Sequence, residues 1–246
     1  MWLMVGGQVQ ATRVRLKTPS GKWVTLLGSQ AYSEPRRSAP NHERWMCLPY
    51  RRIEERFPEV VAGWIRLRVE ECGDAFSQWP TVIEGAVGPI EGALTSCVQF
   101  LDSVLPSSER PVPKAEFAAA THAMLIEVPD SLPAEVIEAV KRGIREANRY
   151  TLRQRIDAAR RNLPVALLNE YALDEKVVGQ AVLARNNMLH QGELGIRIED
   201  AVLVHARIRL LAIAYVLQQI GVPSDLLCER VKACHALHPP ESVTIL

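Results

Sequence analysis

The stretch AVLVHARIRLLAIAYVLQQIGVP, residues 201–223, predicts a long helix with one apolar face. Its apolar residues recur every three or four positions, as an amphipathic helix requires; they are Ala201, Val204, Ile208, Leu211 and Tyr215. Gly221, with Pro223 just beyond it, is typical of a helix end. A stripe of this length has to be buried against other helices, so the fold depends on which other segments carry a matching stripe.

Matching stripes occur upstream. One long helix is predicted to end before Pro106, because six apolar residues step by four, three, four, four and three; they are Ile83, Val87, Ile90, Leu94, Val98 and Leu101. A helical pattern also begins at Arg51, with Pro58 in a first turn or at a restart. Two further helices are expected over residues 115–127 and 132–149, the second opened by Asp130 or Ser131.

Two more stripes follow with recognisable ends. Thr151 and Gln154 have the spacing of a capping box ahead of a stripe that ends before Pro164. The next helix covers residues 174–191, and Gly192 is its expected stop. At least four long amphipathic helices therefore lie between residues 80 and 222, and an antiparallel bundle is the economical way to bury them.

The predicted organisation is mainly α with a small β element at the N-terminus. Residues 12–28 show a strand–turn–strand pattern, which predicts a hairpin. Residues 1–50 are assigned to this hairpin and a linker, a possible remnant of a larger β domain. Residues 51–238 are assigned to an α-helical domain with its bundle core at about 80–222, and residues 239–246 to a tail.

Composition excludes some classes of protein. The 246 residues are 48% hydrophobic and 23% charged, and the net charge of +1 gives no global basic surface for nucleic acid. Five widely spaced cysteines argue against a disulfide framework and for a reducing compartment. Because the N-terminus lacks a signal-peptide pattern and no apolar run reaches ~20 residues, a cytoplasmic protein without a membrane span is expected.

The segment ARNNMLHQG, residues 184–192, places polar side chains at the end of an apolar stripe. Asn186 and His190 are four residues apart and share one helix face. Arg185 flanks the buried stripe, and its long side chain can reach toward the same helix end. The negative end of the helix dipole favours an imidazolium at His190, whose reference pKa of about 6.5 suits proton transfer near neutral pH.

These residue types suit cleavage of an RNA phosphodiester without a metal. The 2′-hydroxyl would attack phosphorus, His190 would carry the proton, and Arg185 would stabilise charge on the phosphate oxygens. The geometry leaves a structural alternative open, because Arg and His in a last helical turn are also ordinary partners of the helix dipole.

The order Arg185, Asn186, three residues, His190 resembles the R-N-x-x-x-H signature of HEPN-domain ribonucleases. The segments LPYRRIEERFPEVVAGWIRLRVE (48–70) and IEGAVGPIEGALTSCVQFLDSVL (83–105) are similar to the start of the HEPN domain in the ApeA-like group of bacterial defence proteins. The resemblance covers about residues 50–230. It implies a HEPN-type bundle in which a last long helix follows the motif.

The resemblance also implies function. Arg185 and His190 would be the catalytic pair and Asn186 the residue that orients them, in a metal-independent endoribonuclease with a defence or toxin-like role. RNA, with tRNA as one candidate, would be the substrate, no cofactor would be needed, and a homodimer formed through the bundle would bring two motifs to one cleft. The alternative is a non-catalytic HEPN module that binds RNA or nucleotide, or acts as an assembly partner. The group usually carries a larger N-terminal β-rich domain than this chain does.

Residues 141–161 hold eight cations against two carboxylates. This local excess indicates either an RNA-backbone track or a solvated helix face. The proposed RNA contacts are Arg145, Arg149, Arg153, Arg160, Arg161 and Arg207. A zinc site at Cys228, Cys234, His235 and His238 is not favoured, because the spacing lacks a C-x₂-C knuckle. His122 and His205 lie in apolar stripes and are expected to be core or boundary residues.

Overall fold

The segment LLAIAYVL, residues 210–217, is buried at every position in the computed structural model. A helix that is apolar all the way round has to be enclosed on all sides. Ile208, Ala212 and Leu217 have no exposed surface, and Tyr215, at 7% exposed, is the most accessible side chain of this segment. The predicted stripe is therefore one part of a central helix whose whole circumference is covered at this level.

The structure describes residues 14–17, 23–26, 48–84, 89–106, 110–129, 131–234 and 237–238, and this part of the chain is mainly helical. The predicted mainly α class is confirmed. The described strands and α-helices, in chain order, are β1 Val14–Lys17, β2 Trp23–Leu26, α1 Tyr50–Ile53, α2 Phe57–Ile65, α3 Trp79–Glu84, α4 Ile90–Val104, α5 Lys114–Ile126, α6 Ala134–Glu146, α7 Leu152–Arg161, α8 Val165–Glu170, α9 Glu175–Gln191, α10 Ile198–Gln219 and α11 Ser224–Ala233. Short 3₁₀ helices at Glu54–Arg56 and Gly73–Gln78 and a π-helix at Arg66–Glu71 lie between α1 and α3.

Four helices form the body of the bundle. The central helix α10 packs against α4 and α9, which also contact each other, and α7 packs on α9 and α4. The short helices α3 and α11 cover further parts of α10. Within the described ranges, no helix is both long and apolar enough to cross a membrane.

The two short strands pair antiparallel, with Val14 opposite Leu26 and Lys17 opposite Trp23. The turn predicted between them, most of the predicted linker and the predicted tail at 239–246 lie outside the described residues. The structure therefore gives the register of these eight residues and does not describe their surroundings.

The single helix expected from Ile83 to Leu101 is wrong. Helix α3 ends at Glu84, and α4 begins only at Ile90 after Pro89, which has an extended backbone (φ −60°, ψ 139°). Proline has no N–H for the helical ladder and disfavours the α conformation in the residue before it. The apolar spacing continues across the break, which is why periodicity alone joined the two helices.

Two of the three other predicted helix ends are confirmed and one is wrong. The capping box is present, since Gln154 N donates to Thr151 Oγ1 (3.3 Å) and Thr151 N donates to Gln154 Oε1 (2.8 Å). Gly192 ends α9 in the left-handed region at φ 77°, as predicted. The expected cap of α6 at Asp130 or Ser131 is wrong, because Pro133 occupies the N-cap position with no side-chain hydrogen bond.

Helices α5 and α6 form a hairpin in which no residue is buried. His122 on α5 is exposed, so its assignment to the core or its boundary is wrong. His205 on α10 is buried, as expected. The base of the hairpin is fixed by Asn148, whose side chain accepts from Val112 N and donates to Val112 O, both at 2.9 Å.

Helix α2 approaches the end of α10 closely at Gly63. A Cβ atom at this position would lie 2.6 Å from the carbonyl oxygen and 2.9 Å from the Cα atom of Ile220. Both are backbone atoms that cannot rotate away. Glycine is therefore what permits this helix to pack there.

Candidate functional site at the end of helix α9

The motif lies where α9 leaves the core. Asp174 is the N-cap of the helix, and its side chain accepts from Val177 N (2.9 Å). It buries four small or branched residues against the bundle; they are Val177, Val178, Ala181 and Ala184. From Arg185 to Gln191 no residue of the helix is buried. The sequence therefore places Arg185 at the boundary between the packed and the accessible part of the helix.

The Arg185 side chain is held rather than solvated, with 23% of its surface exposed. Its Nη2 lies 3.5 Å from Oδ2 of Asp102 on α4, and its Nη1 donates to Asn186 Oδ1 at 3.1 Å. Its Nε is buried and has no hydrogen-bond partner among the described residues. Asn186 is thus a hydrogen-bond partner of the Arg185 guanidinium.

Asp102 joins three helices. Its other carboxylate oxygen, Oδ1, accepts from Nη2 of Arg155 on α7. Arg155 Nη1 also donates to the carbonyl oxygens of Asp102 (3.0 Å) and Leu105 (3.3 Å), the last of which lies just beyond α4. One carboxylate therefore serves two guanidinium groups, which leaves a net positive charge at the end of the motif helix. We call Asp102, Arg155 and Arg185 the arginine cluster.

The sequence pattern does not indicate Asp102, and nothing in it distinguishes Arg155 from the other cations of the basic run. The contacts join residues 53 and 83 positions apart, so no local spacing reports them. One signal was present: Asp102 directly follows Leu101, which ends the predicted stripe. A lone carboxylate beside a buried stripe usually has a cationic partner, since burying an unpaired charge is costly.

His190 is exposed in the last turn of α9. It makes no hydrogen bond or ion pair with any part of the chain that the structure describes. Five residues separate it from Arg185, which corresponds to about 7.5 Å along the helix axis and about 140° around it. The two side chains are thus not in contact, and a ligand bound by both would have to reach from one to the other around the helix.

A groove of about 720 Å³ lies beside this helix end, between α9 and the start of α10. Met188 and Gly192 line it on one side and Ile198 and Asp200 on the other, with Glu91 from α4. Neither Arg185 nor His190 lines this groove. The structure therefore places the motif next to a concave surface and not inside it.

The predicted RNA-contacting arginines fall into two groups. Arg145, Arg149 and Arg153 are exposed, and Arg149 pairs with Glu146 at 2.5 Å. The guanidinium of Arg153 lies over α9, about 3.5 Å from where a Cβ on Gly179 would be.

The remaining three are more constrained. Arg160, with 12% of its side chain exposed, forms ion pairs with Asp157 (2.8 Å) and Glu175 (3.6 Å). Arg161 pairs with the same two carboxylates but keeps 64% of its side chain exposed. Arg207 on α10 is half-buried. The basic run is thus partly structural, since Arg160 and Arg161 pair with carboxylates of the bundle.

Potential metal ligands do not gather in the described part of the chain, where no group of three or more His, Cys, Asp or Glu side chains could hold an ion. Cys234 is buried, and burial raises the pKa of the Cys228 thiol. His238 Nε2 lies 3.1 Å from Val231 O and 3.0 Å from Lys232 O. His235, the fourth residue of the zinc pattern, lies outside the described residues.

Comparison with protein-family models, with curated proteins and with solved structures finds no match for this chain.

Proposed function

We propose that the chain is a metal-independent endoribonuclease of the HEPN type, with Arg185 and His190 as its catalytic residues. The observation that carries the proposal is the arginine cluster, in which Asp102 and Asn186 hold the Arg185 guanidinium at the end of the motif helix. A guanidinium held in place loses less entropy when it binds a phosphate than one that moves freely in solvent.

Each residue has a defined part in the proposed reaction. Neutral His190 takes the proton of the 2′-hydroxyl as that oxygen attacks phosphorus. Arg185 donates hydrogen bonds to the non-bridging phosphate oxygens, where negative charge accumulates, and Arg155 adds to the positive field. The imidazolium then gives its proton to the departing 5′-oxygen. The products are a 2′,3′-cyclic phosphate and a 5′-hydroxyl.

The separation of Arg185 and His190 favours a site completed by a second copy. Within one chain the two side chains lie on different sides of α9, whereas two motif helices facing each other would pair the arginine of one with the histidine of the other. A homodimer formed through the bundle is therefore part of this proposal, as are RNA as the substrate and a defence or toxin-like role.

A second candidate function rests on a different observation. Arg185 is engaged by Asp102, its Nε is desolvated and it does not touch His190. This arrangement also suits a non-catalytic HEPN module, in which the arginine cluster supports the bundle and the exposed cations bind RNA or nucleotide.

Cleavage of end-labelled RNA in EDTA separates the two. The proteins to compare are the wild type, His190→Ala, Arg185→Ala and, as a matched control, His122→Ala, which removes another exposed histidine from a helix remote from the motif. The proposal expects cleavage by the wild type and the control, a loss of at least about 100-fold for the two motif variants, and cyclic-phosphate ends. Equal cleavage by all four proteins, or by none, refutes catalysis by this motif.

A further inference from the structure

We propose that Asn187, the second asparagine of the segment ARNNMLHQG, is a positioning residue for His190. It joins the last turn of α9 to the loop that follows, and so fixes the backbone from which the His190 ring projects. The positioning role rests on the proposed function, because it affects catalysis only if His190 carries the proton. The contacts themselves belong to the fold and can be tested without activity.

The last turn of α9 has no anchor among its own side chains. No residue from Met188 to Gln191 is buried, and the final carbonyl groups of a helix have no partner within it. A turn without buried side chains opens easily, because little packing is lost when it does. Arg185 is held by Asp102, but that contact lies five residues before His190.

Asn187 makes two links from this turn to the loop. Its backbone oxygen accepts from Gly192 N (3.2 Å), and its side-chain Nδ2 donates to Leu194 O (3.4 Å). Leu194 is 6% exposed and belongs to the hydrophobic core of the bundle. Asn187 therefore connects the accessible turn to a residue that the core holds in place. We call these two links the Asn187 clamp.

The loop is also shaped around the Asn187 amide. At Gly195 a Cβ atom would overlap Asn187 Nδ2. The backbone of Gly195 has φ 65°, a conformation that other residues rarely adopt. Glycine is therefore what lets the loop approach the amide this closely. This close approach is a second observation, independent of the hydrogen bond to Leu194, that places the Asn187 side chain against the loop.

The clamp acts on His190 because the two residues share a helical turn. Asn187 and His190 are three positions apart, and one turn contains 3.6 residues. Release of the clamp would let this turn unwind, and the His190 ring would then sample many positions relative to a bound phosphate. Displacement of a reacting group by about 1 Å can lower a rate about 100-fold.

Amide hydrogen exchange of the full chain, followed by mass spectrometry, tests the clamp without reference to activity. Asn187→Asp keeps the shape of the side chain but removes the donor, and Gly195→Ala forces the amide away from the loop. The matched controls are Asn169→Ala, at an exposed asparagine of α8, and Gly73→Ala, at another glycine with positive φ (40°) where a Cβ would have nothing within 4 Å. Circular dichroism confirms that each variant is folded.

Exchange in the peptide that contains residues 188–192 should be at least about tenfold faster in the two clamp variants than in the wild type and the controls. In the same two variants, kcat for RNA cleavage should fall at least about tenfold, while KM stays within about twofold.

The two measurements separate the possible failures. Unchanged exchange overturns the clamp, and faster exchange with an unchanged kcat overturns the positioning role. A wild type that does not cleave RNA refutes the proposed function instead, and the exchange rates then decide for or against the clamp by themselves.

Discussion

Replacement of Asp102 by Asn should destabilise the protein, because it leaves two guanidinium groups without their shared carboxylate. Asparagine has nearly the same shape, so packing is preserved and only the charge and one acceptor are lost. The side chains of Arg155, Arg185 and Asp102 are 14%, 23% and 31% exposed. They therefore fall between exposed pairs, which contribute about 0–1 kcal/mol, and buried pairs, in which loss of one partner costs about 3–5 kcal/mol.

The expected loss in the free energy of unfolding is about 2–3 kcal/mol. Arg155 accounts for most of it, because its ion pair is the closer one and the more buried. In a domain of this size the loss corresponds to a Tm lowered by about 5–10 °C. Urea unfolding at neutral pH and at one fixed protein concentration measures the loss directly.

Glu146→Gln is the matched control for this measurement. It also removes one carboxylate from an arginine pair, that of Arg149, but both side chains are at least half exposed. The control should cost less than about 1 kcal/mol. If Asp102→Asn costs no more than this control, the arginine cluster contributes nothing beyond an ordinary surface pair and the argument from its burial fails.

The same variant links stability to the proposed chemistry. Loss of a carboxylate makes the site more positive, so non-specific RNA affinity should rise. If Asp102 acts by positioning Arg185, cleavage should nevertheless fall. RNA binding and cleavage that rise together would show that the carboxylate only opposes the substrate and has no positioning role.

Two further predictions concern the core. Gly63→Ala should lower the free energy of unfolding by about 1–3 kcal/mol, because the new Cβ would lie 2.6 Å from the carbonyl oxygen of Ile220. Gly143→Ala should instead stabilise α6 by about 0.5–1 kcal/mol, because a Cβ there would have nothing within 4 Å. A higher urea midpoint for Gly63→Ala than for Gly143→Ala would contradict this description of the packing. Burial, and secondarily the Arg209 guanidinium, lowers the pKa of His205 to about 4. The His205 ring of the unfolded chain is protonated below about pH 6.5, whereas that of the folded chain is protonated only below about pH 4. The free energy of unfolding should therefore fall as the pH is lowered from about 6.5 to about 4, by up to about 3 kcal/mol at pH 4. His205→Gln should flatten the pH dependence of the urea midpoint between pH 7.5 and 5, and an unchanged slope would show that His205 is not the group responsible.

Local rules account for the parts of the fold that the sequence predicts well. The capping box at Thr151, the left-handed end at Gly192 and the stripe of α10 each depend on residues within a few positions of one another. The break before Pro89 was missed because the apolar spacing happens to continue across it. The short helices α8 and α11 were missed because neither has a side-chain cap, whereas α7, with the same ten residues as α11, is marked by its capping box.

In the candidate site, too, the features set by local spacing are predicted and the contacts between distant helices are not. Helical spacing predicts that Arg185 flanks the buried face and that His190 lies in the last turn, and both are found there. The contacts of Asp102 with two arginines join distant helices, and one sequence cannot show such pairs. Burial of Arg160 is a third case: a basic run gives the number of cations but not which of them face Asp157 and Glu175.

The enclosure of α10 has a consequence for synthesis in the cell. This helix supplies the centre of the bundle, yet it follows α4, α7 and α9 in the chain. The earlier helices can pack on one another, but the faces that α10 covers stay exposed until residue 219 has been synthesised. We therefore expect the centre of the bundle to close late, and a chain arrested before that point to present apolar surfaces of the kind that chaperones bind.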